Sequence, residues 1–301
     1  MQATNISKDL IRAGVAVAPT SITTANGIRV HHIQTGFVAV KKVHRRYHGI
    51  NGTGILAIVA DPRWTEWMPI SVWAIEHPEG VILVDTGDVP QANDRNYYAC
   101  DKGSAFFYTS FLRFSVTPEE QIHAQLSNLG IHPSDVRWVI QTHLHGDHIH
   151  GINHFSQSEI IVSSIDYPKS LGAVPCLYPS WLNPTFTRFQ PHDIAGFKQA
   201  HIVTKAQDVM IVPTPGHSNG HQSILLRDND QSYIFAGDAS FDEAQLLSGE
   251  IAGIASNPKA SRQTLANIRT YCAWHPTVYL PTHDHETTKR LRENQVVTIV
   301  K

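Results

Sequence analysis

The stretch VIQTHLHGDHIHG, residues 139–151, places three histidines and one aspartate within six positions, directly after a run of β-forming residues. Imidazole and carboxylate groups are costly to bury without a partner. The four side chains are His143, His145, Asp147 and His148. They lie too close together in sequence to satisfy one another, so the stretch predicts a metal site at the end of a buried strand.

Three later strands are also predicted to end in ligand-like side chains. These strands are VMIVP (209–213) before TPGHSNGH, SYIFA (232–236) before GDAS, and TVYLP (277–281) before THDH. In layered α/β folds, sites gather at the carboxyl ends of strands. We therefore expect His217, Asp238 and His283 to join the first cluster.

The seven side chains divide into two sets of ligands. The first set is His143, His145 and His217, and the second is Asp147, His148 and His283. Residues two apart on an extended loop point the same way, so the first two histidines can share one ion. Asp238 has two carboxylate oxygens and can bridge both ions. We expect two divalent ions per chain, with Zn²⁺ first and Mn²⁺, Fe²⁺ or Co²⁺ as alternatives, each with an open position for catalysis.

Other histidines are assigned lesser roles. His221 is expected to contact one of the ligand residues and orient it, without binding the metal itself. His285 lies two residues from His283 and is the alternative ligand at that strand end. Surface positions or local hydrogen bonds are expected for His150, His154, His192 and His201.

The stretch THLHGDHIHG resembles the H-x-H-x-D-H signature of the metallo-β-lactamase superfamily. The resemblance continues, in the family's order, through ILVDTG (82–87), PTPGHSNGH (213–221), FAGDAS (235–240) and PTHDH (281–285). It implies an α/β fold, an αββα sandwich with a dinuclear metal site at the sheet edges. It also implies the same two ligand sets with Asp238 as the bridge, and it places Asp85 next to the ligands. We expect one hydrolase domain over residues 28–301, and a tail or edge element over residues 1–27.

Two neighbouring divalent ions lower the pKa of a bridging water and polarise a carbonyl or phosphoryl oxygen. Asp147 and Asp238 are the expected catalytic carboxylates, and Asp147 is suited to orienting the hydroxide or passing a proton to the leaving group. The motif layout is most similar to that of N-acyl-homoserine lactone lactonases, which implies metal-dependent opening of a lactone or related ester. A thioester hydrolase of the glyoxalase II type is the alternative. A phosphodiesterase or nuclease, or a non-enzymatic metal-binding protein, is favoured less.

One position departs from the lactonase pattern. Those enzymes usually carry a tyrosine three residues after the bridging aspartate, and its hydroxyl contacts the lactone, whereas this chain has Phe241. The residues expected to line an apolar acyl pocket are Phe241, Phe107, Tyr178 and Trp181. Ordinary core packing is the alternative for each of them.

The remaining elements are predicted from hydrophobic period and turn residues. Strands are expected at residues 28–40, 54–60, 70–77 and 80–87, and an irregular aromatic excursion at residues 89–116. One helix is predicted to begin after Thr117 with a capping box and to end at Gly130. Another is predicted to begin at Asn257 and Pro258.

Composition excludes some partners. The chain has 301 residues, of which 42% are hydrophobic and 17% are charged. Its net charge of −2 does not indicate the excess of basic residues that nucleic-acid binding requires. The basic run at residues 41–46 is interpreted as a solvated face. No segment has the length of a membrane span. We expect a small-molecule substrate and no nucleic-acid or membrane partner, and we leave a homodimer open.

Cysteine usage bears on the compartment. The three cysteines are odd in number, far apart and outside any C-x-x-C pair: Cys100, Cys176 and Cys272. This pattern predicts no disulfide framework and therefore a reducing, cytoplasmic location.

Overall fold

The computed structural model describes residues 17–46 and 54–299, without the side chains of residues 54 and 55. Within these residues the first sheet has eight strands, in the order β1-β2-β3-β4-β6-β7-β8 with β5 paired to β2. The strands are β1 (Thr20–Thr23), β2 (Arg29–Val40), β3 (Met68–His77), β4 (Gly80–Val84), β5 (Leu112–Ser115), β6 (Val136–Ile140), β7 (Glu159–Val162) and β8 (Thr185–Phe186).

The second sheet has the order β14-β13-β12-β11-β10-β9. Its strands are β9 (Gln190–Ile194), β10 (Phe197–Ile202), β11 (Val209–Pro213), β12 (Gln222–Asp228), β13 (Gln231–Gly237) and β14 (Thr277–Pro281). The helices of the described chain are α1 (Lys42–Arg45), α2 (Gly54–Ala60), α3 (Lys102–Phe111), α4 (Ile122–Asn128), α5 (Gly146–Ile149), α6 (Glu243–Ser248), α7 (Pro258–Trp274) and α8 (Thr287–Glu293). None of these helices combines the length and the apolar character that a membrane crossing requires.

The two sheets pack face to face with a helix layer outside each. Trp73 of β3 meets Phe235 of β13 across the shared core, with ring centroids 5.3 Å apart. Side chains alternate along each strand, so the other face of each sheet is also apolar and needs a cover. Leu126 of α4 covers the first sheet and Ile268 of α7 covers the second. The predicted αββα sandwich is confirmed.

The predicted helix starts are also found. The backbone N–H of Thr117 donates to Glu120 Oε2 at 2.9 Å, which forms one half of the capping box. The helix begins there with a short 3₁₀ turn before α4, and Gly130 beyond its end has φ of +73°. The side chain of Asn257 accepts from the N–H of Ala260 at 3.0 Å and caps α7. These helix caps could be predicted from the sequence because each depends on only three or four consecutive residues.

Two local predictions were wrong. Residues 54–60 form the helix α2, not a strand, because a short apolar run between a glycine and a proline fits either element. Residues 89–116 are not irregular throughout, since they contain two 3₁₀ turns, α3 and β5. Within residues 17–27, Thr20–Thr23 forms an edge strand on β2, and the division of the chain at residue 28 stays a prediction. Residues 1–16 lie outside the described residues.

The cysteine prediction was also wrong. Cys100 and Cys176 form a disulfide, with Cα atoms 6.2 Å apart, and Cys272 is free and buried. The bonded pair is separated by 76 residues in sequence, so only the fold brings it together. The bond ties the chain just before α3 to the long connection between β7 and β8.

Strand direction explains where polar side chains collect. β4, β6 and β7 run parallel to one another, and β13 runs parallel to β14. The carboxyl ends of such strands meet at one edge of their sheet. The loops after β4, β6, β11, β13 and β14 carry the side chains described next.

Candidate metal centre

All seven predicted ligand side chains come together at this edge, and they are called the ligand cluster below. Three groups have ligand atoms within 4.8 Å of one another: His143, His145 and His217; His143, His148 and Asp238; and Asp147, His148 and His283. The alternative ligand His285 lies elsewhere, with a side chain 44% exposed and its Nε2 atom 3.9 Å from Glu66.

Asp238 lies between the two sets. Its Oδ2 atom is 3.3 Å from His217 Nε2. Its Oδ1 atom is 3.4 Å from the Nε2 atoms of both His148 and His283. One carboxylate thus faces both sets with different oxygens, which is the geometry of a bridging ligand.

Three histidines of the cluster have their outward ring nitrogen engaged by an acceptor. These bonds run from His145 Nε2 to the Leu171 carbonyl (2.8 Å), from His148 Nδ1 to Asp85 Oδ2 (2.7 Å), and from His283 Nδ1 to the Pro69 carbonyl (2.8 Å). A ring nitrogen that donates to such an acceptor carries the proton of the neutral imidazole. The inward nitrogen therefore presents a lone pair, which is the form that binds a metal ion.

The centre of the cluster contains buried polar atoms without hydrogen-bond partners. They are His143 Nε2, His148 Nε2 and Asp238 Oδ1. Native structures rarely leave buried polar atoms unpaired, and three in one place need an explanation. Two carboxylates and several imidazoles around a common space fit one or two divalent cations.

Electrostatics within the cluster favour positive charge. Burial lowers the pKa of His143 well below its ordinary value. Burial also opposes ionisation of Asp238, but the charges on His283 and His148 outweigh it and hold the pKa of Asp238 well below its usual range. The pKa of His148 is raised despite burial, with Asp238 as the main cause. The carboxylates therefore draw cationic charge into a buried space, and a divalent ion supplies such charge while leaving the imidazoles neutral.

Asp85 and His221 lie directly behind the cluster. Asp85 accepts from the N–H and the hydroxyl of Thr142, at 2.7 and 2.8 Å, besides its bond to His148. His221 Nε2 accepts from the backbone N–H of Asp238 at 3.0 Å. Both side chains are buried and hold the segments that carry cluster residues.

A cavity of about 350 Å³ opens onto the cluster. Cluster residues in its lining are His145, Asp147, His217, Asp238 and His283. The rest of the lining is mostly apolar and includes Val38, Met68, Phe107, Phe111, Leu112 and Phe114. The cavity therefore has the polar ligand cluster at one end, and these apolar side chains, called the apolar wall below, line the rest.

Two of the four predicted pocket residues line this cavity. Phe107 and Phe241 are in the lining, and the Phe241 ring lies 5.5 Å from the His283 ring. Tyr178 and Trp181 lie outside it. Tyr178 stacks on Tyr167 at 6.3 Å and packs on the core of the first sheet, and Trp181 is 37% exposed. The connection between β7 and β8 reaches the cavity through Leu171 and Gly172 instead.

The lining also contains three polar residues outside the predicted set: His44, Ser104 and Tyr108. His44 belongs to the basic run interpreted as a solvated face, but it is buried in α1 and lines the cavity. Tyr108 Oη accepts from the Gly146 N–H at 3.1 Å and donates to the Gly172 carbonyl at 2.6 Å. The spacing of Phe107 and Phe111 could have indicated α3, whereas no local signal marks His44.

The histidines given lesser roles form local contacts. His150 Nδ1 is 2.8 Å from Asp88 Oδ1, and the His154 ring stacks on that of His123 at 3.9 Å. His201 Nδ1 accepts from the Arg188 N–H at 3.1 Å. None of these residues belongs to the groups of described side chains that could hold a metal ion.

Comparison with known proteins identifies a family and relatives of the chain. The model of the metallo-beta-lactamase superfamily matches residues 65–283. The N-acyl homoserine lactonase AiiA of Bacillus thuringiensis subsp. kurstaki is 26% identical over 234 residues, which cover 75% of this chain and 85% of the relative. The N-acyl homoserine lactonase AttM of Agrobacterium fabrum is 26% identical over 270 residues, which cover 85% and 93%.

Solved structures show the same fold. An N-acyl homoserine lactone hydrolase with the product N-hexanoyl-L-homoserine at its metal centre superposes with a TM-score of 0.69 and 21% identity, covering 91% of this chain and 96% of that one. The dizinc quorum-quenching lactonase AidC superposes with a TM-score of 0.60 and 14% identity, covering 88% and 90%.

Proposed function

We propose that this chain, which belongs to the metallo-β-lactamase superfamily, is a dinuclear metallohydrolase that opens the ring of N-acyl homoserine lactones. The observation that carries the proposal is the cavity that joins the ligand cluster to an apolar wall. Such a space suits a substrate with an ester head and an apolar tail. The lactonase names of relatives that align over most of the chain support the same substrate class.

In this proposal the two ligand sets predicted from the sequence hold two divalent ions, with Asp238 shared between them. Nitrogen and oxygen ligands without cysteine suit Zn²⁺, which one structural neighbour contains. When bound, such ions polarise an ester carbonyl and make water acidic enough to ionise near neutral pH.

The protein's own residues position and protonate the reactants. Asp147 lines the cavity with a side chain 13% exposed, and its Oδ2 atom is 3.5 Å from His283 Nε2. We assign to Asp147 the transfer of a proton from the attacking water to the leaving alkoxide. Asp85 keeps the His148 ring in its ligand orientation, and His221 fixes the backbone of Asp238.

The lining favours a lactone over the alternatives. A glutathione thioester and a phosphodiester both carry anionic groups, which proteins usually bind with Arg or Lys. In the part of the chain that the structure describes, the cavity lining contains neither residue. The apolar wall instead matches a neutral acyl chain.

A substrate panel tests the proposal. Metal-reconstituted protein is assayed with N-octanoyl homoserine lactone, S-lactoylglutathione, a phosphodiester and a β-lactam, with Asp238→Ala as the inactive control. We expect kcat/KM to be highest for the lactone. Fastest turnover of the thioester would instead identify a glyoxalase II type of hydrolase.

The cellular location stays a prediction. The cytoplasmic assignment depended on the absence of disulfides, and the Cys100–Cys176 bond removes that argument. A homodimer also stays a prediction.

A further inference from the structure

Outside the ligand cluster, three polar side chains line the described cavity: His44, Ser104 and Tyr108. The Tyr108 hydroxyl is occupied by the Gly146 N–H and the Gly172 carbonyl. Ser104 interacts with Asp101 at the start of α3. His44 differs, because neither of its ring nitrogens has a hydrogen-bond partner among the described residues: Nδ1 is fully buried, and Nε2 is the nitrogen left for the cavity that the residue lines.

The ring of Phe241 separates His44 from the ligand cluster. The Phe241 ring is 5.5 Å from the ring of His283 on one side and 6.2 Å from that of His44 on the other. The Phe107 ring is 6.4 Å from His44. His44 is not in any described group of side chains that could hold a metal ion. Its position therefore suits a part of the substrate next to the lactone ring, between the metal ligands and the apolar wall.

The backbone around His44 is fixed by contacts from distant segments. The N–H of Val43 donates to Asp61 Oδ2 at 3.1 Å, and the N–H of Gly253 donates to the His44 carbonyl at 2.7 Å. Gln245 Nε2 donates to the Arg45 carbonyl at 2.6 Å. A side chain at Gly253 would come within 1.8 Å of the Val43 carbonyl oxygen, so this approach requires glycine. These contacts give the imidazole a defined place.

The imidazole is held in its neutral form. Burial lowers the pKa of His44 to about 4. A neutral imidazole offers one donor and one acceptor. The N-acyl homoserine lactones contain a secondary amide next to the ring, which offers an acceptor carbonyl and a donor N–H. Either tautomer of His44 can therefore pair with that amide.

We propose that His44 hydrogen-bonds the amide that joins the acyl chain to the lactone ring, and so selects acylamino lactones over lactones that lack the amide. The inference rests on the proposed function and adds a specificity-determining residue to it. A buried polar atom that a substrate satisfies discriminates strongly against analogues without the matching group. His44 supplies this polar contact beside Phe241, whose ring has none to offer.

The test compares two substrates in each variant. Wild type, His44→Phe and His44→Gln are assayed with N-octanoyl homoserine lactone and with a γ-lactone that carries an alkyl chain of the same length without the amide. His44→Phe keeps an aromatic ring but removes both nitrogens, whereas glutamine restores a polar atom near the Nε2 position. His192→Phe, on the edge strand β9, controls for loss of a histidine.

We expect His44→Phe to lower kcat/KM for the acylamino lactone by about tenfold and for the alkyl lactone by less than about twofold. His44→Gln should recover part of this ratio, and His192→Phe should leave it unchanged. His44→Leu serves as the second deletion variant if phenylalanine does not pack.

An unchanged ratio, or an equal fall for both substrates, would overturn the role of His44 while leaving the lactonase proposal intact. If wild type hydrolyses neither lactone, the proposed function fails and the role of His44 fails with it.

Discussion

The two parts of the cavity are built differently. The ligand cluster sits on the ends of sandwich strands, and three of its histidines are held from behind by Leu171, Asp85 and Pro69. The apolar wall comes largely from α3 and β5, with Val38 of β2 and Met68 of β3 beside them. The loops at the strand ends thus fix the chemistry, and α3 with the adjoining strands shapes the space for substrate. Changes in the first part should abolish catalysis, and changes in the second should alter selectivity.

The largest effect is expected from Asp238→Ala. The carboxylate faces both ligand sets, so its loss should lower lactone kcat/KM by on the order of a thousandfold or more and reduce bound metal below two ions per chain. Circular dichroism should show an intact fold, because the core strands do not depend on this side chain. Asp193→Ala, on an exposed part of β9, is the matched control. Near-wild-type kcat in Asp238→Ala would mean that the site lies elsewhere.

Asp85→Asn should have the next largest effect. An asparagine amide that donates toward His148 Nδ1 would oppose the N–H of that ring and favour the wrong tautomer. Metal affinity or activity should fall about ten- to a hundredfold. Competition with a chelator measures the affinity. Equal metal affinity in wild type and variant would contradict the role given to Asp85.

Phe107→Ala tests the apolar wall. Its ring packs on Phe111 at 5.6 Å, so truncation removes apolar contact from the lining. We expect kcat/KM for a decanoyl homoserine lactone to fall about tenfold, with a butanoyl substrate changed much less. Phe186→Ala, outside the cavity lining, is the control. An equal fall for both chain lengths would show that Phe107 supports the fold and does not contact the acyl chain.

Phe241→Tyr is expected to give the smallest change, and it is a gain. A tyrosine hydroxyl at this position would add a donor beside the ring of His283, at the end of the cavity where the lactone ring is proposed to bind. One neutral hydrogen bond contributes about 0.5–1.5 kcal/mol, so kcat/KM for homoserine lactones should rise about two- to tenfold. Steady-state kinetics of the variant decide the matter. Unchanged or lower turnover would mean that the new hydroxyl is buried without a partner.

The sequence could predict the cluster because its signals are local. Three histidines and an aspartate within six positions mark one loop, and each further ligand follows a strand with recognisable β-forming residues. The caps of α4 and α7 are equally local. The superfamily resemblance added the layer order of the sandwich, which periodicity alone does not give.

Apart from Phe107 and Phe241, the apolar wall could not be predicted, because it depends on long-range contacts. The run at residues 54–60 has no period that separates a helix from a strand. Burial of His44 follows from contacts with Gly253 and from the ring of Phe241, about two hundred residues away. The disulfide likewise joins residues 76 apart. No local sequence pattern around these residues indicates which distant residue each one contacts.

The most direct test of the account is a metal titration with activity read in the same samples. Metal-free protein receives Zn²⁺ in steps, bound metal is counted by elemental analysis, and ring opening of N-octanoyl homoserine lactone is followed. We predict that lactone turnover rises until two ions are bound per chain and then stays constant. Full turnover with one bound ion or fewer, or no turnover with two, would contradict a two-metal lactonase.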